Sequence, residues 1–318
     1  MKRFLRTFAL TAALLPFLTL PVQAARVLIP VGEVIGLRLD SGTVTVAAYD
    51  DALGSAAREA GLKIGDQILR IDGTAVHSAE DVRSRLGAKP QELTIRRGGK
   101  LTALHLTPCQ TGDGPRLGVY LRQGIAGIGT VTFYDPQSGL FGTLGHGVSD
   151  AKGNLLPMTQ GQAYTARIQA VKKGTSGHPG QLKGDAGQVC GTLHRNTAQG
   201  VFGNTRQGWK GQPLPLAVYE AIETGPAVIR CQVTQGPSQE YSVEILKIYP
   251  ETRPDGRNFL LKVTDPALLQ ATGGIVQGMS GSPIIQNGQL IGAVTHVLVN
   301  DAAMGYGIFI ENMLDAAG

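Results

Sequence analysis

Beyond residue 117, the chain alternates short apolar runs with turns that contain glycine. Runs of this kind cover residues 127–134, 164–171, 227–233 and 241–249. Their length and their content of β-branched residues are typical of β-strands rather than helices. Many short strands joined by glycine turns predict an all-β unit, here a pair of β-barrels over residues 117–318.

The pattern in residues 33–108 is mixed. Residues 42–48 alternate as a strand, residues 55–62 form a capped helical turn that ends at a glycine, residues 78–86 form an amphipathic helix, and residues 92–100 are typical of a hairpin. Residues 109–116 are rich in glycine, proline and threonine, which predicts a linker. The chain is therefore predicted to be mainly β, with an α+β domain followed by a double barrel.

The first 24 residues have the pattern of an export signal. A basic start is followed by an apolar core at residues 8–20 and by small residues before Ala25. The core is interrupted by Pro16 and is shorter than the roughly 20 residues that span a membrane. We expect export across the cytoplasmic membrane, and both a cleaved signal peptide and a retained N-terminal anchor fit this pattern.

Composition narrows the classes of partner and cofactor. The net charge of +5 is spread thinly over 318 residues, and no basic cluster is interleaved with aromatic residues, so nucleic acid is not a predicted partner. Three cysteines are too few for a disulfide framework. Cys190 and His194 offer two zinc ligands, and two ligands do not make a site. We predict no metal and no other cofactor.

Residues 278–283, Gly-Met-Ser-Gly-Ser-Pro, carry the strongest chemical signal in the chain. Glycine leaves room for an incoming carbonyl and permits the bend that aims the N–H groups of Gly278 and Ser280 at one point, an oxyanion hole. A surface turn rich in glycine and serine is the alternative. An Asn-Gly hairpin turn and an apolar strand at residues 289–299 follow, in the order found in chymotrypsin-type barrels.

A serine nucleophile needs a general base. His146 lies between two glycines after an apolar stretch, and it precedes Ser280 as the histidine does in chymotrypsin-like folds. His296 belongs to the strand after the nucleophile, where it fits the wall of a specificity pocket. The other histidines either lie in the first domain or remain rivals to His146: His77, His105, His178 and His194.

The third member of a triad is a carboxylate that orients the histidine. Asp265 ends an apolar strand and precedes a proline, a place where an aspartate more often begins an ordinary turn. Asp150 and Asp185 are the alternatives. The local sequence leaves this choice open.

Residues 144–147 (Leu-Gly-His-Gly), 275–288 and 292–296 together resemble the stage IV B sporulation serine peptidases. These are PDZ-containing proteases of endospore-forming bacteria, and the resemblance covers nearly all of the chain after residue 25. It implies that His146 and Ser280 are catalytic and that Asp265 is the third member. The interval of 15 residues between Asp265 and Ser280 is short for a chymotrypsin-type topology.

Residues 60–69 resemble the PDZ domains attached to secreted bacterial proteases. Such domains bind a peptide as an added strand and capture its terminal carboxylate with backbone N–H groups. The helix at residues 78–86 can serve both the groove and the domain core. On this resemblance, the carboxylate loop and the groove wall are formed by these residues: Ile35, Gly36, Leu37, Val82 and Leu86.

The resemblance implies a secreted serine endopeptidase that cleaves itself and then an extracytoplasmic segment of a membrane-anchored regulatory protein in sporulation signalling. Its expected location is the space between the membranes of the developing spore. The expected partners are that regulator, the chain itself and a peptide ligand of the PDZ domain. A catalytically inactive PDZ scaffold of the cell envelope is the rival hypothesis, and the presence of both His146 and Ser280 favours the enzyme.

Overall fold

The structure is a computed structural model that describes residues 26–150, 153–253 and 255–318. The predicted export signal, residues 1–24, lies outside these ranges. Within them, no helix is long and apolar enough to cross a membrane.

Strands account for most of the described chain. The strands up to the start of the second barrel are β1 (Val27–Pro30), β2 (Val34–Tyr49), β3 (Gln67–Ile71), β4 (Thr74–Ala75), β5 (Gln91–Arg97), β6 (Lys100–Leu106), β7 (Cys109–Thr111), β8 (Gly114–Arg116), β9 (Val119–Tyr134), β10 (Leu140–Thr143), β11 (Gln160–Lys172), β12 (Gln181–Thr197), β13 (Gly200–Asn204) and β14 (Leu214–Pro215). The later strands are β15 (Gly225–Cys231), β16 (Gln239–Ile248), β17 (Phe259–Val263), β18 (Pro283–Gln286), β19 (Gln289–Leu298) and β20 (Asp301–Phe309). The helices are α1 (Ser55–Glu59), α2 (Ala79–Arg85), α3 (Pro266–Thr272) and α4 (Ile310–Ala317).

Six strands close the first barrel in the order β2, β9, β10, β13, β12 and β11, with β11 returning to β2. Its interior is filled by aliphatic and aromatic side chains, among them Val131, Phe141 and Leu193. Because the barrel is closed, each of its six strands is hydrogen-bonded to a neighbouring strand on both sides.

The second barrel is also closed, in the order β15, β16, β17, β20, β19 and β18. Phe259 and Phe309 meet edge to face in its core, with ring centroids 4.6 Å apart. Apolar and polar residues alternate along β16 and β17, so one face of each strand lies in this core and the other faces outward. The prediction of a double β-barrel is confirmed.

The PDZ unit is inserted into the first barrel instead of preceding it. Residues 34–39 of β2 pair with β9 and β11 in the barrel, whereas residues 44–49 of the same strand pair with β3 and β9 in the PDZ unit. The PDZ core contains Val44, Ile68 and Val82. The predicted boundaries of 33–108 for the PDZ domain and 117–318 for the peptidase domain do not include this insertion, since the barrel already begins with β1 and the first part of β2.

The predicted linker at residues 109–116 is also wrong. These residues form the hairpin of β7 and β8, which leads into β9. The two domains are joined by two long paired strands, β2 and β9, each 16 residues long. A hydrogen-bonded ribbon, with register shifts between Leu39 and Val44 and between Val46 and Ala48, therefore connects the PDZ unit to the barrel.

Candidate active site

The turn that carries Ser280 lies between α3 and β18, at the junction of the two barrels. Gly278 and Gly281 have φ angles of 100° and 98°, which only glycine adopts without strain. A Cβ on Gly281 would collide with the carbonyl of Thr130 in the first barrel. The turn at Asn287 and Gly288 then joins β18 to β19, as the sequence predicts.

The N–H groups of Gly278 and Ser280 are available to a ligand. Among the described residues, neither has a hydrogen-bond acceptor within the protein. The N–H of Leu182 donates to the carbonyl of Gln277 at 2.8 Å, and this bond fixes the peptide plane that carries the Gly278 N–H. Because the carbonyl of that plane faces β12, the N–H faces the opposite way.

The Ser280 hydroxyl and the His146 ring line the same cavity, of about 320 Å³, together with Gly278 and Gln277. In this structure the hydroxyl donates to the carbonyl of Thr295 at 2.7 Å. Ser280 is therefore held by β19, and its hydroxyl must rotate away from Thr295 to bond with the histidine.

A left-handed turn brings His146 into the cavity. Leu144 and Gly145 have φ angles of 70° and 66°, and a Cβ on Gly145 would lie only 2.9 Å from the Thr295 side chain. Asn196 holds the following segment, since its side chain accepts from the N–H of Val148 and donates to the carbonyl of Val148, each at 2.9 Å. The glycines beside His146 thus allow close packing of this segment against its neighbours as well as the turn.

The tautomer of His146 follows from its hydrogen bond. Nδ1 lies 2.9 Å from the carbonyl of Gly147. A carbonyl can only accept, so the proton is on Nδ1 and Nε2 has the free lone pair of a base. Burial lowers the pKa of His146 below its usual value of 6.5, partly offset by the bond to Gly147. The imidazole is consequently neutral at pH 7.

The structure contradicts the prediction that Asp265 orients His146. Its carboxylate caps α3, accepting from the N–H groups of Ala267 at 2.9 Å and Leu268 at 3.1 Å, and it also accepts from the N–H of Ser242 at 3.3 Å. Aspartate followed by proline is a common start of a helix, and that local role is the one observed.

The two alternative aspartates have other partners. Asp185 accepts from the side chain of Gln169 at 2.9 Å on the exposed β11–β12 hairpin. Asp150 accepts from the backbone and side chain of Asn154 in a turn. In the described ranges, no carboxylate makes a hydrogen bond to His146, and the Gly147 carbonyl takes that position.

His296 lies against His146 without a hydrogen bond to it, a contact that the sequence alone did not indicate. The rings of His146 and His296 have centroids 4.9 Å apart. Burial first, and then the neighbouring His146, lowers the pKa of His296 to about 4. Its Nδ1 is buried and lacks a hydrogen-bond partner in the described structure. The other rivals, His178 and His194, are exposed.

The predicted carboxylate loop is wrong. Ile35, Gly36 and Leu37 pair on one side with β9 and on the other with β11, so neither edge can accept a peptide. Ile35 and Leu37 are buried in the core of the first barrel. The Ile-Gly-Leu sequence lies in the part of β2 that belongs to the barrel, and not in the PDZ unit.

A groove does exist on the PDZ unit, between α2 and residues 119–121 of β9. It is a cavity of about 440 Å³ whose lining includes Val82, Leu86 and the Leu117–Gly118 turn. Val82 is buried and also belongs to the PDZ core, while Leu86 is half-buried. In the described structure, residues 119–123 pair with β2 on one edge only. Sequence reasoning missed the Leu-Gly-Val run at residues 117–119. This run is the signal that could have located the turn at one end of the groove.

Two closed barrels, with Ser280 and His146 lining one cavity at their junction, define a double-barrel peptidase fold, here with a PDZ unit inserted in the first barrel. The chain belongs to the SpoIVB peptidase S55 family, whose model matches residues 113–314. A PDZ domain model matches residues 52–97. The resemblance seen in the sequence is thereby confirmed.

Similarity to individual proteins is partial. The chain is 37% identical over 100 residues to a protein named as a zinc metalloprotease in Agrobacterium fabrum, covering 30% of this chain and 26% of that protein. A protein of the same designation in Clostridium perfringens is 34% identical over 77 residues, covering 23% of each. The chain thus spans about a quarter of the length of these curated relatives.

Matches to solved structures have low identities and low TM-scores. The active form of the Rv3671c protease from M. tuberculosis has a TM-score of 0.36 and 16% identity, covering 62% of this chain and 75% of that one. Human heparin binding protein has a TM-score of 0.31 and 15% identity, covering 60% of this chain and 86% of that one. The fold assignment comes from the strand pairing described above.

Proposed function

We propose that Ser280 and His146 act as a catalytic dyad that cleaves peptide bonds. One observation carries the proposal: both side chains and the unused N–H groups of Gly278 and Ser280 meet at one cavity. Nucleophile, base and oxyanion donors are the groups that acyl transfer requires. The carbonyl of Gly147 replaces the usual orienting carboxylate.

In this mechanism, the Ser280 hydroxyl leaves the Thr295 carbonyl and attacks the carbonyl carbon of the substrate. Nε2 of His146 takes the hydroxyl proton, while the two N–H groups bind the developing oxyanion. His146 then gives the proton to the leaving amine. A water molecule hydrolyses the acyl-enzyme by the same steps.

We further propose that the PDZ groove binds the C-terminal end of a polypeptide. Residues 117–119 would supply backbone N–H groups to the terminal carboxylate, and the peptide would pair with the open edge of β9. The open edge and the apolar wall formed by Val82 and Leu86 support this assignment. It replaces the loop expected at residues 35–37.

The proposed substrates are the chain itself and an extracytoplasmic segment of a membrane-anchored regulatory protein, with the protease exported and located between the membranes of a developing spore. The family match and the basic and apolar pattern of residues 1–24 support this biological setting. An inactive PDZ scaffold is the competing function, and the bond between Ser280 and Thr295 is the observation in its favour.

Reaction with a fluorophosphonate probe tests the dyad. The full chain should be labelled at Ser280 and should process itself, whereas Ser280→Ala and His146→Ala should do neither while keeping the wild-type circular dichroism spectrum. Loss of either residue removes most of the catalysis when the two act as a unit. Self-processing at the wild-type rate by Ser280→Ala, free of other proteases, would exclude Ser280 as the nucleophile.

A further inference from the structure

Thr130, on β9, is bonded to both halves of the proposed site. We propose that Thr130 is a positioning residue whose hydroxyl holds the Gly278–Met279 peptide in the orientation that the oxyanion hole requires. This inference rests on the proposed peptidase function. It assigns a role in the reaction to a residue that touches neither the substrate nor the reacting atoms.

On the nucleophile side, two groups of Thr130 hold the Ser280 turn. The hydroxyl donates to the carbonyl of Gly278 at 2.7 Å, and the N–H donates to the carbonyl of Ser280 at 2.9 Å. Only 1% of Thr130 is exposed, so these bonds do not compete with water. The first barrel thereby fixes the peptide groups that lie before Met279 and after Ser280.

On the base side, the carbonyl of Thr130 holds the approach to His146. It accepts from the hydroxyl of Thr143 at 2.6 Å and from the N–H of Leu144 at 3.4 Å. Leu144 begins the left-handed turn that brings His146 into the cavity. The hydroxyl, N–H and carbonyl of one residue thus connect the base segment to the nucleophile turn.

The hydroxyl is the group that a side-chain substitution can remove. Gly278 has a φ of 100° and no side chain, so its neighbouring peptides can rotate unless hydrogen bonds fix them. The Gln277 carbonyl is fixed by Leu182, and the Gly278 carbonyl is fixed by the Thr130 hydroxyl. Release of the second carbonyl would leave this peptide held only by the bond from the Met279 N–H to the Val276 carbonyl at 3.0 Å, and the Ser280 N–H would then be free to move away from the oxyanion. Because that contact strengthens in the transition state, kcat should fall and KM should change little.

The test compares three variants of the full chain on one peptide substrate. Thr130→Val keeps the shape and removes the donor, and Thr130→Ser keeps the donor. Thr132→Val is the matched control, since the hydroxyl of Thr132 is equally buried and donates to the carbonyl of Gly281 at 2.7 Å, outside the oxyanion peptides. Loss of a whole oxyanion donor costs about 10²–10³ in kcat. For displacement of one donor, we expect Thr130→Val to lower kcat by about tenfold or more, with KM within about threefold.

Thr130→Ser should restore kcat to within about threefold of wild type, and Thr132→Val should lose similar stability with a much smaller loss of kcat. A wild-type kcat in folded Thr130→Val, or in Thr130→Ala if the valine variant does not fold, contradicts the inference. Equal losses of kcat in Thr130→Val and Thr132→Val also contradict it, because they indicate a structural role alone. A wild-type chain that neither hydrolyses peptide nor reacts with the serine probe removes the proposed function and this inference with it.

Discussion

Replacement of Asp265 distinguishes a structural carboxylate from a catalytic one. In the structure, this side chain accepts from two N–H groups in the first turn of α3 and from the N–H of Ser242. Asp265→Ala removes all three bonds, whereas Asp265→Asn keeps an oxygen that can cap the helix. The two variants should therefore differ in stability and agree in activity.

The expected magnitudes follow from these contacts. Loss of a helix N-cap costs about 0.5–2 kcal/mol, and Leu268 of α3 is packed in the core of the second barrel, so we expect about 1.5 kcal/mol for Asp265→Ala. A change of this size lowers Tm by roughly 3–6 °C in a domain of about 200 residues. Asp265→Asn should stay within about 0.5 kcal/mol of wild type. Both variants should keep kcat/KM within about threefold at 25 °C.

Thermal unfolding followed by circular dichroism measures the first effect, and steady-state hydrolysis of a peptide measures the second. His146→Ala gives the baseline for loss of the base. An orienting triad aspartate changed to asparagine costs about 10⁴ in kcat. If Asp265→Asn unfolds at the wild-type temperature but loses a thousandfold or more in kcat, the capping role is insufficient and Asp265 contacts His146 during turnover.

Three further predictions concern the titration of the histidines and the two domains. Since burial lowers the pKa of His146, kcat/KM should be constant around pH 7 and should fall only below pH 6.5. The pKa of His296 is about 4 in the folded state, against an ordinary value of 6.5, so its contribution to stability is complete above pH 6.5 and is lost as the pH falls toward 4. His296→Asn should therefore flatten the dependence of Tm on pH in that range. Leu86→Gln should alter cleavage of the chain itself but leave hydrolysis of a short peptide unchanged. Gly36→Leu would crowd Ala186 and Tyr164 in the first barrel, so it should lower both activities. The reverse pattern would place the peptide-binding groove at residues 35–37.

Short-range sequence signals correctly predicted the turns and the helix whose conformation depends on neighbouring residues. The Asn287–Gly288 turn, the helix α2 and the glycine turn around Ser280 all match the sequence prediction. Each depends on a few adjacent residues, through a positive φ angle or a cap hydrogen bond.

The errors concern partners that are distant along the chain. Residues 34–49 form one strand, and nothing in its alternation marks the point near Gly42 where its neighbours change from barrel strands to PDZ strands. The same limit applies to Asp265, for which the family resemblance implied a contact with His146 that the path of the chain does not make, although its interval to Ser280 is short for that topology. Pairing between remote strands decides both questions, and it has no local signature.

The shared strand β9 sets the distance between the PDZ groove and the cavity at Ser280. Its open PDZ edge is centred on Leu121 and its contact with the nucleophile turn is at Thr130, and nine residues of strand span roughly 30 Å. For a polypeptide held by its C terminus in the PDZ groove, about nine or more extended residues must lie between that terminus and the bond at Ser280. The ribbon of β2 and β9 would thus make the protease select by length, so that tails too short to reach are retained uncut however well their sequence suits the cavity.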